Sequence, residues 1–296
     1  MSNVSSVLYD IPGPVTKRRQ RRWSVVAGLA IFAVLGAGLF AMYRNGVFDE
    51  RWMVLIDPPN VRGLNSTAAD VWWNSLIMTG LIQGTLAAAG LAMPIAGLVA
   101  LILVVLRTST KKAVSVPAKV LIEVSRGLPV LVLMLFGLFV FNFSAYVSVA
   151  FGLIVYNAAI LAEILRAGLA SIAKGQGEAG MAIGLSWFQN FFIITLPQAI
   201  RVMMPSLIAQ LVVLLKDTSI GFIVGYTELL RTGQVNWNFF GNETRLPFFV
   251  AVLAIYLVLN FSLTRIATFV EKRLRERGQR ATLPGGIAAT LNPRDA

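Results

Sequence analysis

The sequence predicts an all-α membrane protein with six transmembrane helices. Of its 296 residues, 56% are hydrophobic and only 14% are charged, which is too apolar for a soluble domain. Long uncharged stretches alternate with clusters of lysine and arginine, as expected when several helices cross a membrane and their basic ends stay on one side. The net charge of +12 therefore indicates membrane orientation, and nucleic acid is not an expected partner.

The first predicted transmembrane helix follows a basic cluster at 17–22. Ser24–Tyr43 contains no charged residue, and its 20 residues cover a hydrocarbon core of roughly 30 Å at about 1.5 Å per residue. A cleaved signal peptide is the competing interpretation, but the apolar run is too long and no small-residue cleavage site follows it. We predict a disordered basic tail at 1–22 and a retained helix at 23–43.

The second predicted helix lies in a longer apolar run. Residues 44–74 are slightly acidic, which suits an external loop that ends in an interfacial lead-in. Val71–Leu106 is uncharged for 36 residues, too long for one transmembrane helix and too short for two with a turn. We predict a helix from about Met78 to Leu106, after the lead-in that Trp72 marks.

The remaining four helices are predicted from the positions of polar breaks and basic clusters. The third and fourth run from about Pro117 to Phe141 and from about Tyr146 to Arg166, with an outer turn at 142–144 between them. The fifth begins at Pro197, where a proline is tolerated in the first helical turn. The sixth is Leu246–Thr264, and a basic tail follows at 270–296. All basic clusters then face the cytoplasm, as do both termini.

A short segment of small and polar residues connects the fourth and fifth helices. Glu178, Ala179 and Gly180 are followed by Gly184, and nine residues separate Gly184 from an Ile-Thr-Leu-Pro stretch at 194–197. This spacing resembles the cytoplasmic coupling signature of ABC-importer permeases, in which Glu-Ala-Ala precedes the glycine and Ile-x-Leu-Pro. The family usually has alanine where this chain has Gly180, which we interpret as a mild change because both residues are small.

The resemblance extends to the polar amino-acid subgroup of that family. Gly175, Gln176, Gln198 and the Lys-Asp-Thr-Ser stretch at 216–219 are similar to its pattern. The resemblance implies a type I permease core of five helices at 75–269, with the helix at 23–43 as an extra N-terminal addition. It also implies that a coupling segment contacts the ATPase through Lys174, Gly175, Gln176, Glu178, Ala179, Gly180 and Gly184.

The same resemblance implies the partners. They are ABC ATPase subunits, a second permease subunit of the same or a sister chain, an external solute-binding protein and the lipid of the bacterial cytoplasmic membrane. The implied substrate is a polar amino acid; glutamate, glutamine, a basic amino acid and an opine are not ranked by these residues. ATP is expected on the partner, and no cofactor or metal is expected in this chain.

The residues themselves indicate a transporter and not an enzyme. The sequence has no histidine, no cysteine and no Gly-x-x-x-x-Gly-Lys-Ser/Thr phosphate loop. An ion- or proton-driven carrier is one rival, but such carriers commonly have inverted internal repeats, and none is evident here. A membrane anchor or sensor is another, although it would have little need for charges within its transmembrane helices.

Two pairs of charged residues are predicted near the cytoplasmic ends of the third and fourth helices. Glu123 and Arg126, and likewise Glu163 and Arg166, are spaced Glu-x-x-Arg, so the members of each pair face the same side of one helix. Arg126 also opens an Arg-Gly-Leu-Pro stretch that resembles the family's Arg-Gly-x-Pro element. Two roles remain open: structural ion pairing, and an inner gate or wall of the substrate path.

A second charged group is predicted below the outer interface. Only the 14 residues Val202–Leu215 are uncharged before Lys216, and such a helix rises only about 21 Å. Lys216 and Asp217 should therefore pair inside the membrane, next to Thr218 and before a broken or re-entrant stretch from Ser219 to Thr227. A structural ion pair and an outer gate both fit this position.

Overall fold

The computed structural model describes residues 14–44, 46, 50–59 and 65–282. Within these ranges the regular structure is entirely helical, as predicted. Helix α1 is Pro14–Arg44, so residues 14–22 are helical and the disorder predicted for them is wrong. The rest of that predicted tail, residues 1–13, lies outside the described residues, as does 283–296. The chain divides into two compact units, residues 1–54 and 55–296.

The first unit is dominated by α1. Its 27 residues from Arg18 to Arg44 are long and apolar enough to cross a membrane. The described apolar side chains of this helix, including Phe32 and Leu39, are exposed within the unit. A helix that is hydrophobic on all sides fits a lipid environment. A short 3₁₀ helix, Glu50–Leu55, follows.

The second unit begins with one continuous helical run of 38 residues, Asp70–Arg107. Its first part, Asp70–Leu86, is π-helical, and helix α2 is Ala87–Arg107. The helix therefore begins at Asp70 and not at about Met78, as predicted. Asp70 starts the run by accepting hydrogen bonds at 2.9 Å from the backbone N–H and the hydroxyl of Thr67.

The third predicted helix is divided. Helix α3 is Lys112–Gly127 and α4 is Val130–Phe139, and the two meet at 100°. The single helix predicted over 117–141 is therefore wrong. The cause is Pro129, which disfavours helical backbone at the residue before it; Leu128 is accordingly extended, with ψ 134°. Helix α4 alone rises about 15 Å, half of a hydrocarbon core.

The rest of the unit is a series of helices. The long helices are α5 (Ala145–Ser171), α8 (Leu196–Asp217) and α10 (Arg245–Thr282). Helix α10 continues through 270–282, into the predicted basic tail. A turn is present at the predicted position 142–144, and Ser144 caps α5. The shorter elements are α6 (Lys174–Ala182), α7 (Trp187–Gln189), a π-helical part at Asn190–Thr195, a 3₁₀ helix at Thr218–Val224, α9 (Leu229–Phe240) and a 3₁₀ turn at Asn242–Thr244.

Five helical runs in the described residues are long and apolar enough to cross a membrane, and the bent pair α3 and α4 raises the number to six if it counts as one crossing. The fourth, fifth and sixth predicted helices correspond to α5, α8 and α10. The run that contains α8 also includes α7 and the 3₁₀ helix Thr218–Val224, so it extends from Trp187 to Val224.

The core forms where α2 packs against α5 through small side chains. Ala92, Ala96 and Ala100 recur every four residues along one face of α2, and all three are fully buried. Ala158 and Ala162 lie on α5 in the same buried cluster as Ala96 and Ala100. In lipid, helices associate mainly by close van der Waals packing, which small residues permit. This pattern makes α5 a central helix that also contacts α3, α4 and α8.

We expect Ala96→Leu to lower the free energy of unfolding by about 1–3 kcal/mol, because additional methyl groups cannot fit in a well-packed interface. Unfolding of the purified protein by SDS titration measures this value. Ala87→Leu is the matched control, since Ala87 lies on the same helix and is exposed. Equal stability of the two variants would contradict the proposed α2–α5 packing.

Candidate functional site

The predicted coupling segment is an exposed helix between two long helices. Helix α6 follows α5 after two residues, and most of its side chains are exposed, including Lys174, Gln176, Glu178 and Ala179. Gly175 has nothing within 4 Å of the position of a Cβ atom. The segment therefore offers a second protein surface close access to its backbone.

One side of α6 is anchored by Asn190. The amide Nδ2 of Asn190 donates a hydrogen bond of 2.9 Å to the carbonyl of Gly177. Gly180 is buried on the same side, and a Cβ atom there would lie 2.7 Å from Cδ1 of Ile194 and closer still to Oδ1 of Asn190. A methyl group at residue 180 would require the ends of the Asn190 and Ile194 side chains to shift, and the interpretation of Gly180 as a mild replacement for alanine stays a prediction.

The end of α6 is formed by a glycine and a capping box. Gly184 has φ +88°, in the left-handed region that glycine adopts without strain. Ser186 and Gln189 then exchange hydrogen bonds in the capping box of α7. Just before Gly184, the apolar side chains of Met181 and Ile183 are exposed to 52% and 78%. The segment thus combines exposed charge, exposed apolar surface and a rigid exit.

A charged cluster lies at the end of α5 that leads to α6. The Glu163 carboxylate is 2.7 Å from Arg107 on α2, 2.6 Å from Arg166 on α5 and 3.7 Å from Arg126 on α3. The predicted pairing of Glu163 with Arg166 is confirmed. Arg107 was missed, since sequence spacing reveals partners along one helix and not across helices. Three arginines around one carboxylate leave two formal positive charges.

Glu123 is not part of this cluster. Its side chain is 57% exposed and lies 3.8 Å from Lys119, one turn earlier on α3. Arg126 instead turns toward Glu163, so the predicted Glu123–Arg126 pair does not form. A cavity of about 310 Å³ opens beside the charged cluster, lined by Arg126, Tyr156, Ile160, Glu163 and Ile164.

The residues at 216–219 lie apart from the charged cluster. Lys216 is exposed and forms no ion pair with Asp217 among the described residues, so the predicted pair is wrong. Adjacent residues of a helix point in different directions, which explains the failure. The hydroxyls of Thr218 and Ser219 donate to backbone carbonyls, of Leu215 at 2.6 Å and of Lys216 at 2.7 Å.

The predicted break after Asp217 is present. The α-helix gives way to the 3₁₀ helix Thr218–Val224, which ends at Gly225 with φ +81°. Gly221 in this stretch faces Val149 near the start of α5. Val149 precedes Glu163 by 14 residues, so the two groups of predicted site residues are separated by about 21 Å along α5.

Two buried polar contacts were missed by the sequence analysis. Asn157 on α5 is fully buried and accepts a hydrogen bond of 2.8 Å from Gln210 on α8. Glu228 is also fully buried, and its carboxylate accepts from the N–H groups of Leu230 and Arg231 and from the hydroxyl of Tyr256. Neither Asn157 nor Glu228 belongs to a recognisable sequence motif, so only their burial and their hydrogen-bond partners identify them as structural residues.

The chain has several long apolar helices, and a short exposed helix rich in small residues connects two of them. This arrangement is typical of transporter permeases. The chain belongs to the family of binding-protein-dependent transport system inner membrane components, whose family model matches residues 92–276. The family consists of transporter permeases and is not an enzyme family. The membership and fold predicted from the sequence are confirmed.

Several curated proteins are similar to this chain. The glutamate transport system permease protein GluD of Corynebacterium glutamicum is 39% identical over 211 residues, 69% of this chain and 76% of that protein. The probable glutamine ABC transporter permease protein GlnP of Bacillus subtilis is 35% identical, over 52% of this chain and 73% of that protein. The glutamate/aspartate import permease protein GltK of Escherichia coli is 31% identical, over 68% and 97%.

Solved structures share the fold. A chain in the crystal structure of an amino acid ABC transporter with histidines is 28% identical, with a TM-score of 0.61 over 73% of this chain and 100% of that chain. A chain of the MetNI methionine ABC transporter in an inward-facing conformation is 17% identical, with a TM-score of 0.57 over 68% and 97%. The second likeness concerns the fold alone.

We expect Glu163→Gln to lower the free energy of unfolding by about 1–3 kcal/mol, because it removes the negative charge that pairs with three arginines. Unfolding by SDS titration tests this. The control is Glu123→Gln, which affects one exposed pair on α3 and should change the free energy by less than about 0.5 kcal/mol. Equal values for the two variants would contradict a structural role of the charged cluster.

Proposed function

We propose that this chain is the permease subunit of an ATP-driven ABC importer and forms the membrane path for a polar amino acid delivered by an external binding protein. The observation that carries the proposal is α6, an exposed and anchored helix at the position of the coupling signature. Family membership and the likeness to an amino acid ABC transporter support it. The chain itself catalyses no reaction, and ATP is bound and hydrolysed by the partner.

The contacts of α6 explain how an ATPase moves the permease. The helix follows α5 after two residues, and Asn190 ties it to the π-helical start of the run that contains α8. Gln198 on α8 also donates to Oε1 of Gln176, at 3.5 Å. A displacement of α6 therefore acts on α5 and α8 together, and these two helices pack directly, with Gly168 against Met203 and Ala199.

The charged cluster supports a substrate that carries a carboxylate. Two of its formal positive charges are uncompensated, and Arg126, 42% exposed, lines the adjacent cavity. A guanidinium binds a carboxylate through paired hydrogen bonds. We propose an acidic amino acid or its amide, in agreement with the names of the similar permeases for glutamate, glutamine and aspartate. A basic amino acid would meet repulsion at Arg126.

The proposed assembly lies in the bacterial cytoplasmic membrane. It contains two ATPase subunits and a second permease subunit, the same chain or a sister chain. Both termini and α6 face the cytoplasm in this arrangement, because the basic clusters lie at those helix ends. The first helix, α1, is additional to the permease core.

Reconstitution distinguishes this proposal from a secondary carrier. In liposomes that contain the chain, its co-purifying ATPase and external binding protein loaded with glutamate, we expect uptake that requires internal ATP. An imposed proton or sodium gradient without ATP should produce none. Uptake that follows the ion gradient and ignores ATP would overturn the proposal.

We expect Glu178→Arg to abolish recovery of the ATPase with the affinity-purified chain, because it reverses the charge of an exposed residue of α6. Quantitative co-purification measures this, and unchanged unfolding would exclude a folding defect. Glu243→Arg is the matched control, an exposed glutamate between α9 and α10 that lies outside the coupling segment. Normal ATPase recovery with Glu178→Arg would show that α6 is not the docking surface.

A further inference from the structure

An apolar groove lies between the end of α2, the start of α3 and α7. Its volume is about 410 Å³. Five apolar side chains form most of its lining: Val105, Leu106, Val114, Trp187 and Phe188. None of these residues belongs to the charged cluster or to the predicted coupling residues.

The aromatic wall of the groove is held in place by the helix behind it. Trp187 stacks on Phe191, with ring centroids 5.3 Å apart and planes at 17°. It also contacts the edge of Phe188 at 4.9 Å. Phe191 is buried, whereas Trp187 is 40% and Phe188 60% exposed. The groove is therefore a preformed surface that keeps aromatic area open to the surroundings.

The turn that follows the polar end of the groove carries positive charge. Ser109 and Thr110 line it, and the next two residues are Lys111 and Lys112, both exposed. Neither lysine has an ion-pair partner among the described residues, in contrast to Lys119, which pairs with Glu123 on the same helix. The backbone N–H of Lys111 donates to the Ser109 hydroxyl at 3.3 Å, which orders the turn.

The groove lies at the depth of a membrane interface. The apolar run Asp70–Arg107 ends beside it, and the charged turn begins there. Tryptophan is enriched at this depth, and lysines next to a transmembrane helix attract anionic lipids. Acyl chains match the apolar lining, and a phosphate matches the unpaired lysines.

We propose that this groove binds an anionic phospholipid, with an acyl chain against Trp187 and Phe188 and its phosphate at Lys111 and Lys112. The charge at one end and the apolar lining along the rest together favour this occupant over a neutral lipid. Trp187 and Phe188 follow α6 within a few residues, so the bound lipid contacts the connection between α6 and α8. An effect of the lipid on transport rests on the proposed function, but the binding site does not.

Fluorescence quenching by brominated lipids tests the site in the full-length chain without any ATPase. The purified protein in detergent is titrated with phosphatidylglycerol brominated on its acyl chains, and separately with the matching phosphatidylcholine. Because the chain has 6 tryptophans, the signal of Trp187 is obtained as the part of the quenching that disappears in Trp187→Phe. We expect phosphatidylglycerol to quench this signal at a concentration about 25-fold lower, because each lysine near a phosphate contributes roughly a factor of five.

The double variant Lys111→Gln/Lys112→Gln should lose that preference and respond equally to both lipids. Lys119→Gln is the matched control, because it removes a lysine from the same helix whose charge is already paired; it should keep the preference. Equal quenching of the native chain by both lipids would overturn the proposal, and so would an unchanged preference in the double variant.

A protein occupant is the remaining alternative. If the double variant and Phe188→Ser reduce ATPase recovery while the lipid response stays as in the native chain, the groove is a docking surface for the ATPase and the proposal is wrong. Because lipid binding is measured without ATP, substrate or ATPase, a failure of the importer proposal would leave this result intact, and the reverse also holds.

Discussion

Close packing of small residues on α5 is the constraint on which the rest of the structure depends. The buried alanines of α2 and α5 let two long helices approach each other, and Gly168 does the same between α5 and α8. Without a hydrophobic driving force in lipid, such contacts determine which helices are neighbours. They also bring Arg107 and Glu163 within 2.7 Å, so the charged cluster exists only because the alanine faces are in register.

The same helix connects the two functional regions. At its end, α5 leads through two residues into α6, whose exposed face is the proposed contact for an ATPase. Gly180 and Asn190 illustrate how closely that segment is packed. The side chain of Asn190 occupies the space in which a Cβ atom at residue 180 would lie. The rigid anchor on one side and the open surface on the other are what a coupling element requires.

Sequence patterns predicted the parts of the fold that depend on local properties. Apolar length identified the long helices, and the spacing from Glu178 to the Ile-Thr-Leu-Pro stretch identified the family. The single straight helix over 117–141 was wrong although Pro129 was visible in the sequence. Hydropathy averages over a window, so it records apolar length and not a bend at one residue.

By itself, the sequence determined the class of protein: its composition requires a membrane, and a motif defined by spacing needs no tertiary contact to be read. Only the tertiary structure decided the partners of each charge. Glu163 pairs across three helices, Lys216 and Asp217 do not pair, and Glu228 is buried against Tyr256. The physical reason is that spacing along one helix states which residues share a face, whereas helix packing brings distant residues together.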